Sequence, residues 1–245
     1  MKRTELNSNP KISIIVPYYN MSKYFLDTLN SIKKQTYDNW ECIIINDGST
    51  DNDRDLILDN IKNDFRFRYY EQNNGGVANA KNTAASLSRG ELIVPVDPDD
   101  LISRTFLQMG VEYMESHPEY SLYYGHAIYF GDYTAPWNIE WKGYNELLKK
   151  NSIFNTSIFR KKDFDRIGGY NENLKAFEDW EMYIRLLYNN DNVYQSDLVF
   201  YIYRYRQDGR DWSTWKDEFS QKTVFQEIET LNKKIYKQYN TKLTF

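Results

Sequence analysis

An acidic cluster directly follows an apolar run near the middle of the chain. The residues Asp97-Pro98-Asp99-Asp100 come after Leu92-Ile93-Val94-Pro95-Val96, which has the character of a buried strand. Neighbouring carboxylates repel one another, so a cation between them stabilises such a cluster. A divalent ion held by one or two carboxylates usually has phosphate oxygens as its other ligands. The cluster therefore predicts chemistry on a phosphorylated ligand, and a solvated or helix-capping turn is the alternative.

The composition narrows the kind of ion that this cluster could hold. The 245 residues contain two histidines, His117 and His126, and one cysteine, Cys42, which argues against a zinc site built from Cys and His. A metal would be held mainly by carboxylates, which favours Mg²⁺ or Mn²⁺. We expect Cys42 to be a buried small hydrophobe, and a single cysteine forms no disulfide within the chain, which fits a reducing cytosol.

Charge and hydropathy argue against a nucleic-acid partner and against a membrane span. The net charge is -4, and the 31 Lys and Arg residues are scattered rather than clustered. No apolar run has the length of a transmembrane helix, and the first residues lack the apolar stretch of a signal peptide. We expect a cytoplasmic protein, with peripheral contact at the inner face of the membrane left open. Aromatic residues reach 17 %, with 22 Tyr, which suits sugar or nucleobase binding but also fits a compositional bias.

Alternating strands and helices in the first half must position the acidic cluster. The predicted elements are strands over 12–16, 41–45, 67–70 and 92–96 and helices over 22–35, 51–62 and 77–88. Ser22 is the predicted N-cap of the first helix. Strand–helix repeats imply a parallel sheet with right-handed crossovers. Ligands bind beyond the carboxyl ends of such strands, so the loops that begin at Pro17, Asn46 and Asp97 should converge on one crevice.

The second half is less regular and ends in a long amphipathic pattern. Its predicted elements are strands over 120–130, 153–159 and 193–205, a loop over 137–144, a short helix ending at 150, and helices over 103–116, 161–167, 178–188 and about 215–239. We expect both halves to share one continuous sheet. For the final helix, packing on the domain is the default. Covering the sheet, pairing in a homodimer and lying on a membrane surface are the alternatives.

An ordered series of motifs over residues 11–206 resembles glycosyltransferase family 2, whose members have the GT-A fold. The matching segments are Ile14-Ile15-Val16-Pro17-Tyr18-Tyr19-Asn20, Ser31-Ile32 with Gln35-Thr36, Ile45-Asn46-Asp47-Gly48-Ser49-Thr50-Asp51, Asn74-Gly75-Gly76 with Ala80-Lys81-Asn82, Gly90-Glu91 before the acidic cluster, Ile167-Gly168-Gly169-Tyr170, Glu178-Asp179-Trp180 and Tyr203-Arg204. Each motif is weak alone, but the ordered set at these spacings is highly specific.

The resemblance implies an α/β fold of the GT-A type, a Rossmann-like mixed sheet flanked by helices with a C-terminal amphipathic helix. It divides the chain into an N-terminal extension (1–10), a nucleotide-sugar-binding half (11–100), an acceptor-binding half of the same domain (101–211) and the C-terminal helix (212–245). It also implies a hexosyl- or N-acetylhexosaminyltransferase that depends on Mn²⁺ or Mg²⁺. The sugar would pass with inversion from a nucleotide-sugar, foremost a UDP-sugar, to a glycan or lipid-linked acceptor in surface polysaccharide, lipopolysaccharide or glycoprotein glycan synthesis.

Two other functions stay open. A sugar nucleotidyltransferase has a similar nucleotide-binding sheet, but the first strand here ends in Pro17-Tyr18-Tyr19-Asn20 rather than in a glycine-rich phosphate loop. A non-catalytic nucleotide- or glycan-binding module would bind without turnover. The presence of both Asp99 and Asp179 argues against such a module.

The resemblance assigns five positions to the nucleotide, of which one, Asp97, belongs to the acidic cluster. Pro17 and Tyr19 match the positions that cradle and stack on the nucleobase, and Asp47 matches the carboxylate that reads the base edge. Lys81 stands where the family often has Arg, near the base and the phosphates, which keeps the charge but loses the planar fork. The alternatives are a core role for Tyr19, an ordinary turn residue at Asp47 and a solvated helix residue at Lys81.

The acidic cluster matches the diphosphate and metal side of the family site. Asp97 matches the position that faces the ribose and the diphosphate, and Asp99 matches the metal ligand of the Asp-X-Asp motif, with Asp100 as support. Many relatives carry a His a few residues after Tyr-Arg, and some use it as a further metal ligand. This chain has no His there, so Asp208, Asp211 or water are the candidates to replace it.

Asp179 matches the catalytic base of the family. An acceptor hydroxyl is a poor nucleophile until a base takes its proton, and an apolar setting would raise the pKa of Asp179 toward the working range. Capping the following helix is the alternative role for this residue. Glu178, Trp180 and Trp137 are predicted on the acceptor side. Their alternatives are a favourable first-turn charge for Glu178 and packing for Trp180.

Overall fold

The computed structural model describes residues 9–51, 54–207 and 218–243. Nine strands within these residues form one mixed sheet. The strands are β1 (Ile12–Tyr18), β2 (Trp40–Asp47), β3 (Phe67–Gln72), β4 (Leu92–Pro95), β5 (Leu101–Ile102), β6 (Leu122–Gly131), β7 (Ala135–Trp137), β8 (Ile158–Arg160) and β9 (Val193–Tyr205). The helices are α1 (Ser22–Lys33), α2 (Arg54–Ile61), α3 (Val77–Leu87), α4 (Phe106–Ser116), α5 (Tyr144–Leu147), α6 (Lys161–Ile167), α7 (Glu178–Leu186), α8 (Glu218–Leu231) and α9 (Lys233–Gln238).

The sheet is parallel in the first half of the chain and mixed in the second. β3, β2, β1 and β4 lie side by side in parallel, as the strand–helix alternation predicts. β8 then pairs antiparallel with both β4 and β6, and β9 and β5 complete the order, while β7 pairs with β6. The sheet is therefore continuous across both halves. The carboxyl ends of β1, β2 and β4 lie at one edge of it, where ligands of such sheets bind.

The side chains of β1 alternate between two buried layers. Ile14 and Val16 pack in one core cluster with residues of α1 and α4, whereas Ile15 packs in the other with residues of α3 and α7. This alternation follows from the two-residue period of a strand. All seven residues of β1 are buried, because a central parallel strand is covered by helices on both faces.

β1 continues through Pro17 to Tyr18, beyond the predicted end at residue 16. The carbonyl of Ile15 accepts a hydrogen bond from the amide of Val96, so the backbone of Ile15 faces β4. By the same alternation Pro17 faces that side too, but β4 ends at Pro95. The N–H that proline lacks would therefore have no ladder partner, and β1 tolerates Pro17 without losing a bond.

Other predicted boundaries were wrong for local reasons. The N-cap of α1 is Met21 rather than Ser22, and the carbonyl of Met21 accepts the amides of Tyr24 and Phe25. The strand predicted over 153–159 is only β8, three residues long. β5 and β7, of two and three residues, were not predicted, because such short strands do not show a two-residue period.

The C-terminal helix predicted over about 215–239 is two helices, α8 and α9, separated at Asn232; its predicted start lies outside the described residues. Ile228 and Tyr236 are buried in the core cluster that contains Trp180 of α7. The Asn232 side-chain amide donates to Glu181 of α7 at 3.2 Å. Packing on the domain is thus the role of these helices in the structure. None of the described helices combines the length and apolar character needed to cross a bilayer.

Candidate active site

The loops after β1 and β2 are tied together at the carboxyl edge of the sheet. The side chain of Asn20, which has a φ of 51°, accepts a hydrogen bond from the amide of Thr50 at 2.8 Å. The amide of Asn20 donates to Ser49 Oγ at 3.0 Å. Pro17 is buried, whereas Tyr19 is 37 % exposed at the end of β1. The predicted nucleobase residue therefore keeps an accessible ring on a loop that these bonds hold in place.

Asp47 ends β2 and holds the start of α3. Its buried carboxylate accepts the backbone amides of Gly75 and Gly76 at 2.9 and 2.8 Å and the side-chain amide of Gln72 at 2.7 Å. Gly76, the N-cap of α3, has a φ of 87°, which L side chains rarely adopt. Asp47 thus ties the β3–α3 loop to the end of β2. An ionised carboxylate can accept about four hydrogen bonds, so after these three Asp47 could still accept one from the edge of a base, as predicted.

Lys81 of α3 joins the acidic cluster to the start of α7. The Lys81 ammonium is buried and donates to Glu178 Oε1 at 2.8 Å and to Asn155 Oδ1 at 2.9 Å. It also lies 3.8 Å from Asp97 Oδ1. Burial alone would lower the pKa of Lys81, but the carboxylates of Glu178, Asp97 and Asp179 together raise it above its usual value. The solvated-helix alternative for Lys81 is wrong, because this cation is enclosed among acids.

Glu178 and Asp179 are neighbours in the first turn of α7, yet the protein drives their pKa values apart. The N-cap of α7 is Phe177 in the left-handed region, so Asp179 does not cap the helix. Burial would raise the pKa of Glu178, but contact with Lys81 holds that pKa below its usual range. Burial and the charge of Glu178 raise the pKa of Asp179 to about 6, against the opposing effect of Lys81. Glu178 therefore stays ionised while Asp179 can accept a proton near neutral pH.

The three carboxylates of the acidic cluster point to different partners. Asp100 is buried and accepts the hydroxyl of Tyr201 and, at 2.7 Å, the amide of Arg204. Burial, with the charges of Asp99 and Asp97, raises the pKa of Asp100 well above its usual range. Asp99 Oδ2 lies 3.1 Å from Arg206 Nη2. Asp100 thus anchors the cluster to β9, while Asp99 faces a guanidinium.

A divalent ion fits this cluster only as a partner of a phosphorylated ligand. Within the described parts of the chain, no three His, Cys, Asp or Glu side chains are grouped to hold a metal. Asp99 offers one carboxylate, and Mg²⁺ or Mn²⁺ is commonly held by one or two carboxylates together with substrate phosphates and water. Asp208 and Asp211, the predicted replacements for the missing His, lie outside the described residues.

The structure separates the two tryptophans predicted on the acceptor side. Trp180 is 1 % exposed, and its indole N–H donates to the carbonyl of Leu147 at 2.7 Å. This is a core side chain with no ring face for a sugar, so the acceptor-side prediction for Trp180 is corrected to packing. Trp137 lies on β7, is partly exposed, and stacks on Tyr129 with ring centroids 4.8 Å apart.

Three partners of the site were not predicted from the sequence: Asn155, Tyr201 and Arg206. Asn155 lies inside the strand predicted over 153–159, but the segment before β8 is irregular, and a strand pattern does not show that its side chain binds Lys81. The other two lie on or directly after β9, where Tyr201, Tyr203 and Tyr205 alternate with Ile202, Arg204 and Arg206. That alternation was a usable signal, because it places the tyrosines on one face and the arginines on the other.

Comparison with known proteins places the chain in a family. Residues 13–171 match the sequence profile of the family described as Glycosyl transferase family 2. The chain belongs to this family. GlyG, a glycosyltransferase of Streptococcus pneumoniae serotype 4, is 29% identical over 249 residues, which cover 91% of this chain and 79% of GlyG. TuaG of Bacillus subtilis, named for teichuronic acid biosynthesis, is 27% identical over 92% of this chain and 91% of TuaG.

Solved structures show the same fold for this family 2 glycosyltransferase. TarS of S. aureus, solved as residues 1–349 in complex with UDP-GlcNAc, has a TM-score of 0.69 at 24% sequence identity. The similarity covers 81% of this chain and 60% of that chain. The fold is therefore of the GT-A type, as the sequence motifs predicted. At this identity the likeness concerns the fold, and the roles of individual residues rest on the geometry described above.

Proposed function

We propose that this chain is an inverting glycosyltransferase that moves a hexosyl or N-acetylhexosaminyl group from a UDP-sugar to a hydroxyl of a glycan or lipid-linked acceptor. The observation that carries the proposal is the buried network in which Lys81 joins Asp97 to Glu178, beside an Asp179 with a pKa of about 6. This network brings Asp179, which can take a proton, close to Asp97 at the carboxyl edge of the sheet, where we place the nucleotide. Family membership and the UDP-GlcNAc complex of TarS support the class of donor.

The donor side of the proposal uses the edge formed by β1, β2 and β4. Tyr19 offers its exposed ring to the base, Pro17 would cradle the base from the end of β1, and Asp47 lies at the end of the neighbouring strand. Asp97 would face the ribose and diphosphate, and Asp99 would hold Mn²⁺ or Mg²⁺. When bound there, a divalent ion neutralises the charge that develops on the leaving diphosphate.

The acceptor side of the proposal uses α7 and the β6–β7 hairpin. Asp179 takes the proton of the acceptor hydroxyl as that oxygen attacks the anomeric carbon, and the diphosphate leaves from the opposite face. Glu178 stays ionised against Lys81, so its charge keeps the pKa of Asp179 raised. The partly exposed ring of Trp137 would contact the acceptor. TuaG, which is named for teichuronic acid biosynthesis, supports polysaccharide synthesis as the setting. A location at the cytoplasmic face of the membrane is part of the proposal.

The experiment is a thermal-shift panel of the purified protein with UDP, GDP, dTDP and CMP, each with and without Mn²⁺. A ligand that binds only the folded state stabilises it by mass action and so raises the melting temperature. At a ligand concentration a hundred times Kd, the stabilisation is about 2.7 kcal/mol. We expect a shift with UDP that requires Mn²⁺ and is lost in Asp99→Asn, while Asp163→Asn, a change on α6, leaves it intact. No shift with any of the nucleotides would contradict the proposal.

A further inference from the structure

The predicted metal ligand already faces a cation that belongs to the chain. Arg206 Nη2 lies 3.1 Å from Asp99 Oδ2, and the two side chains are only 13% and 12% exposed. A carboxylate so withdrawn from water is stable when it is paired with an opposite charge. The neighbouring Asp100 adds negative charge rather than offsetting it, and its carboxylate accepts hydrogen bonds from Tyr201 and Arg204.

Arg206 also lies beside the loop that carries the proposed nucleobase residue. Its guanidinium is over the ring of Tyr24 at 5.2 Å, and Nη1 is 3.9 Å from Met21 Sδ. Met21 and Tyr24 begin α1, directly after Tyr19 and Asn20. Arg206 therefore lies between the start of α1 and Asp99. A diphosphate joining a base at Tyr19 to an ion at Asp99 would run through the same space.

Arg204 shows what a purely structural arginine looks like in this region. Its Nε donates to the carbonyl of Asp99 at 2.8 Å, its Nη2 to Asp27 of α1 at 2.8 Å, and its guanidinium lies over Phe130 at 4.3 Å. These bonds tie β9, α1 and the acidic cluster together through backbone and side chain. Arg206 instead pairs with the one carboxylate of the cluster that the proposed function needs for an ion.

We propose that Arg206 and the divalent ion exchange at Asp99. Before the donor binds, the Arg206 guanidinium holds the Asp99 carboxylate. When the ion and the nucleotide diphosphate enter, the ion takes Asp99 and the guanidinium turns to the diphosphate oxygens, which match its planar set of donors. This inference rests on the proposed function, since it needs a nucleoside diphosphate and an ion at this edge. Arg206 is then a binding residue for the donor and a competitor of the free ion.

The exchange predicts effects of opposite sign when Arg206 is neutralised. In Arg206→Gln, the positive charge 3.1 Å from Asp99 Oδ2 is removed, so Mn²⁺ without nucleotide should bind roughly tenfold more tightly. The same variant loses charge-assisted hydrogen bonds to the diphosphate, so UDP in the presence of saturating Mn²⁺ should bind on the order of tenfold or more weakly. A residue that merely stabilised the fold would move both affinities in the same direction.

The test measures Mn²⁺ binding by the loss of the free-ion EPR signal and UDP binding by calorimetry, in the full chain. Arg206→Lys keeps the charge and should leave Mn²⁺ binding without nucleotide weak. Arg166→Gln, which removes an α6 arginine 3.7 Å from Asp163, is the matched control and should change neither affinity. Circular dichroism and melting temperature establish that each variant is folded.

The two possible failures are distinguishable. If Arg206→Gln leaves Mn²⁺ affinity unchanged or lowers it, or leaves UDP affinity unchanged, the exchange is wrong while the donor site stands. If the unaltered chain binds no UDP with Mn²⁺, the proposed function itself fails and the inference falls with it. If Arg206→Gln does not fold, Arg206→Lys decides: Mn²⁺ binding without nucleotide as weak as in the parent supports the exchange, and tighter binding overturns it.

Discussion

At the scale of single residues, the site depends on one buried cation among several acids. Lys81 faces Glu178 and Asp97 directly, and Asp179 lies within its electrostatic reach. The four groups come from α3, the loop after β4 and the first turn of α7. Each acid needs the ammonium, because three carboxylates this close together would otherwise repel one another strongly. Lys81 is therefore a positioning residue that influences the pKa of Asp179, the proposed base.

Neutralising Lys81 should shift the acidic limb of the pH–rate profile to higher pH. The positive charge of Lys81 favours the ionised form of Asp179, so Lys81→Met should raise the pKa of Asp179 above its value of about 6. A rise on the order of one unit fits an opposite charge removed at this range. Because the ionised carboxylate is the base, activity at pH 6 should fall more than activity at pH 8.

The measurement is kcat/KM for donor turnover across pH 5 to 9, which reports the groups of the free enzyme. Lys81→Arg keeps the charge and should retain the parent profile. The groups that set the limb are Glu178, Lys81 and Asp97. An unchanged limb in a folded Lys81→Met protein would show that another group controls the profile.

Sequence reasoning identified most of these residues but not their arrangement. Asp97, Asp99, Asp179 and Lys81 stand in motifs, so their positions along the chain carry the resemblance. The contact of Lys81 with Glu178 joins residues 97 positions apart, and no local pattern records it. The pairing of Asp99 with Arg206 was missed for the same reason, although the alternation of β9 placed both arginines on one face.

At the scale of elements, prediction succeeded where a pattern was long and failed where it was short. β9 was predicted with its observed bounds because its apolar and aromatic run is long. α6 is short, but it too was predicted with its observed bounds, because Gly168-Gly169 marks its end. β7 has only three residues and forms by pairing with β6, so tertiary contact rather than local sequence decides it. That strand is what fixes Trp137 against Tyr129 and Tyr203, with centroids 4.8 and 5.1 Å apart.

A change in the β6–β7 hairpin should weaken use of the acceptor more than hydrolysis of the donor. Trp137→Ala removes a partly exposed ring from this hairpin without altering residues of β1, β2 or β4. Acceptor use should weaken on the order of tenfold, which corresponds to lost stacking of about 1.4 kcal/mol. Hydrolysis of the donor should remain within about twofold. The readouts are KM for the acceptor glycan and the rate of donor hydrolysis in water. Phe65→Ala, at an exposed ring between α2 and β3, is the control. Equal loss of both activities would count against an acceptor role.

At the scale of the whole molecule, one continuous sheet carries both sides of the reaction. β4 belongs to the parallel half and pairs with β8 of the second half, so the acidic cluster after β4 and the segment before β8 are held side by side. Asn155 in that segment binds Lys81 at 2.9 Å. The C-terminal helices pack with α7 through Ile228 and Tyr236, and α7 carries the proposed base Asp179. The fold class was predicted from the motifs. The pairing of β4 with β8 and the packing of the C-terminal helices on α7 are tertiary contacts, which no local sequence pattern records.

The configuration of the sugar that the enzyme first releases tests the proposed inverting mechanism most directly. Time-resolved proton NMR of donor hydrolysis, with the UDP-α-sugar that binds best, distinguishes the two anomers before they interconvert. Inversion predicts that the β-anomer appears first, and loss of the general base in Asp179→Asn should lower the rate about a hundredfold or more. An α-anomer formed first, or an unchanged rate in folded Asp179→Asn, would contradict a single displacement assisted by Asp179.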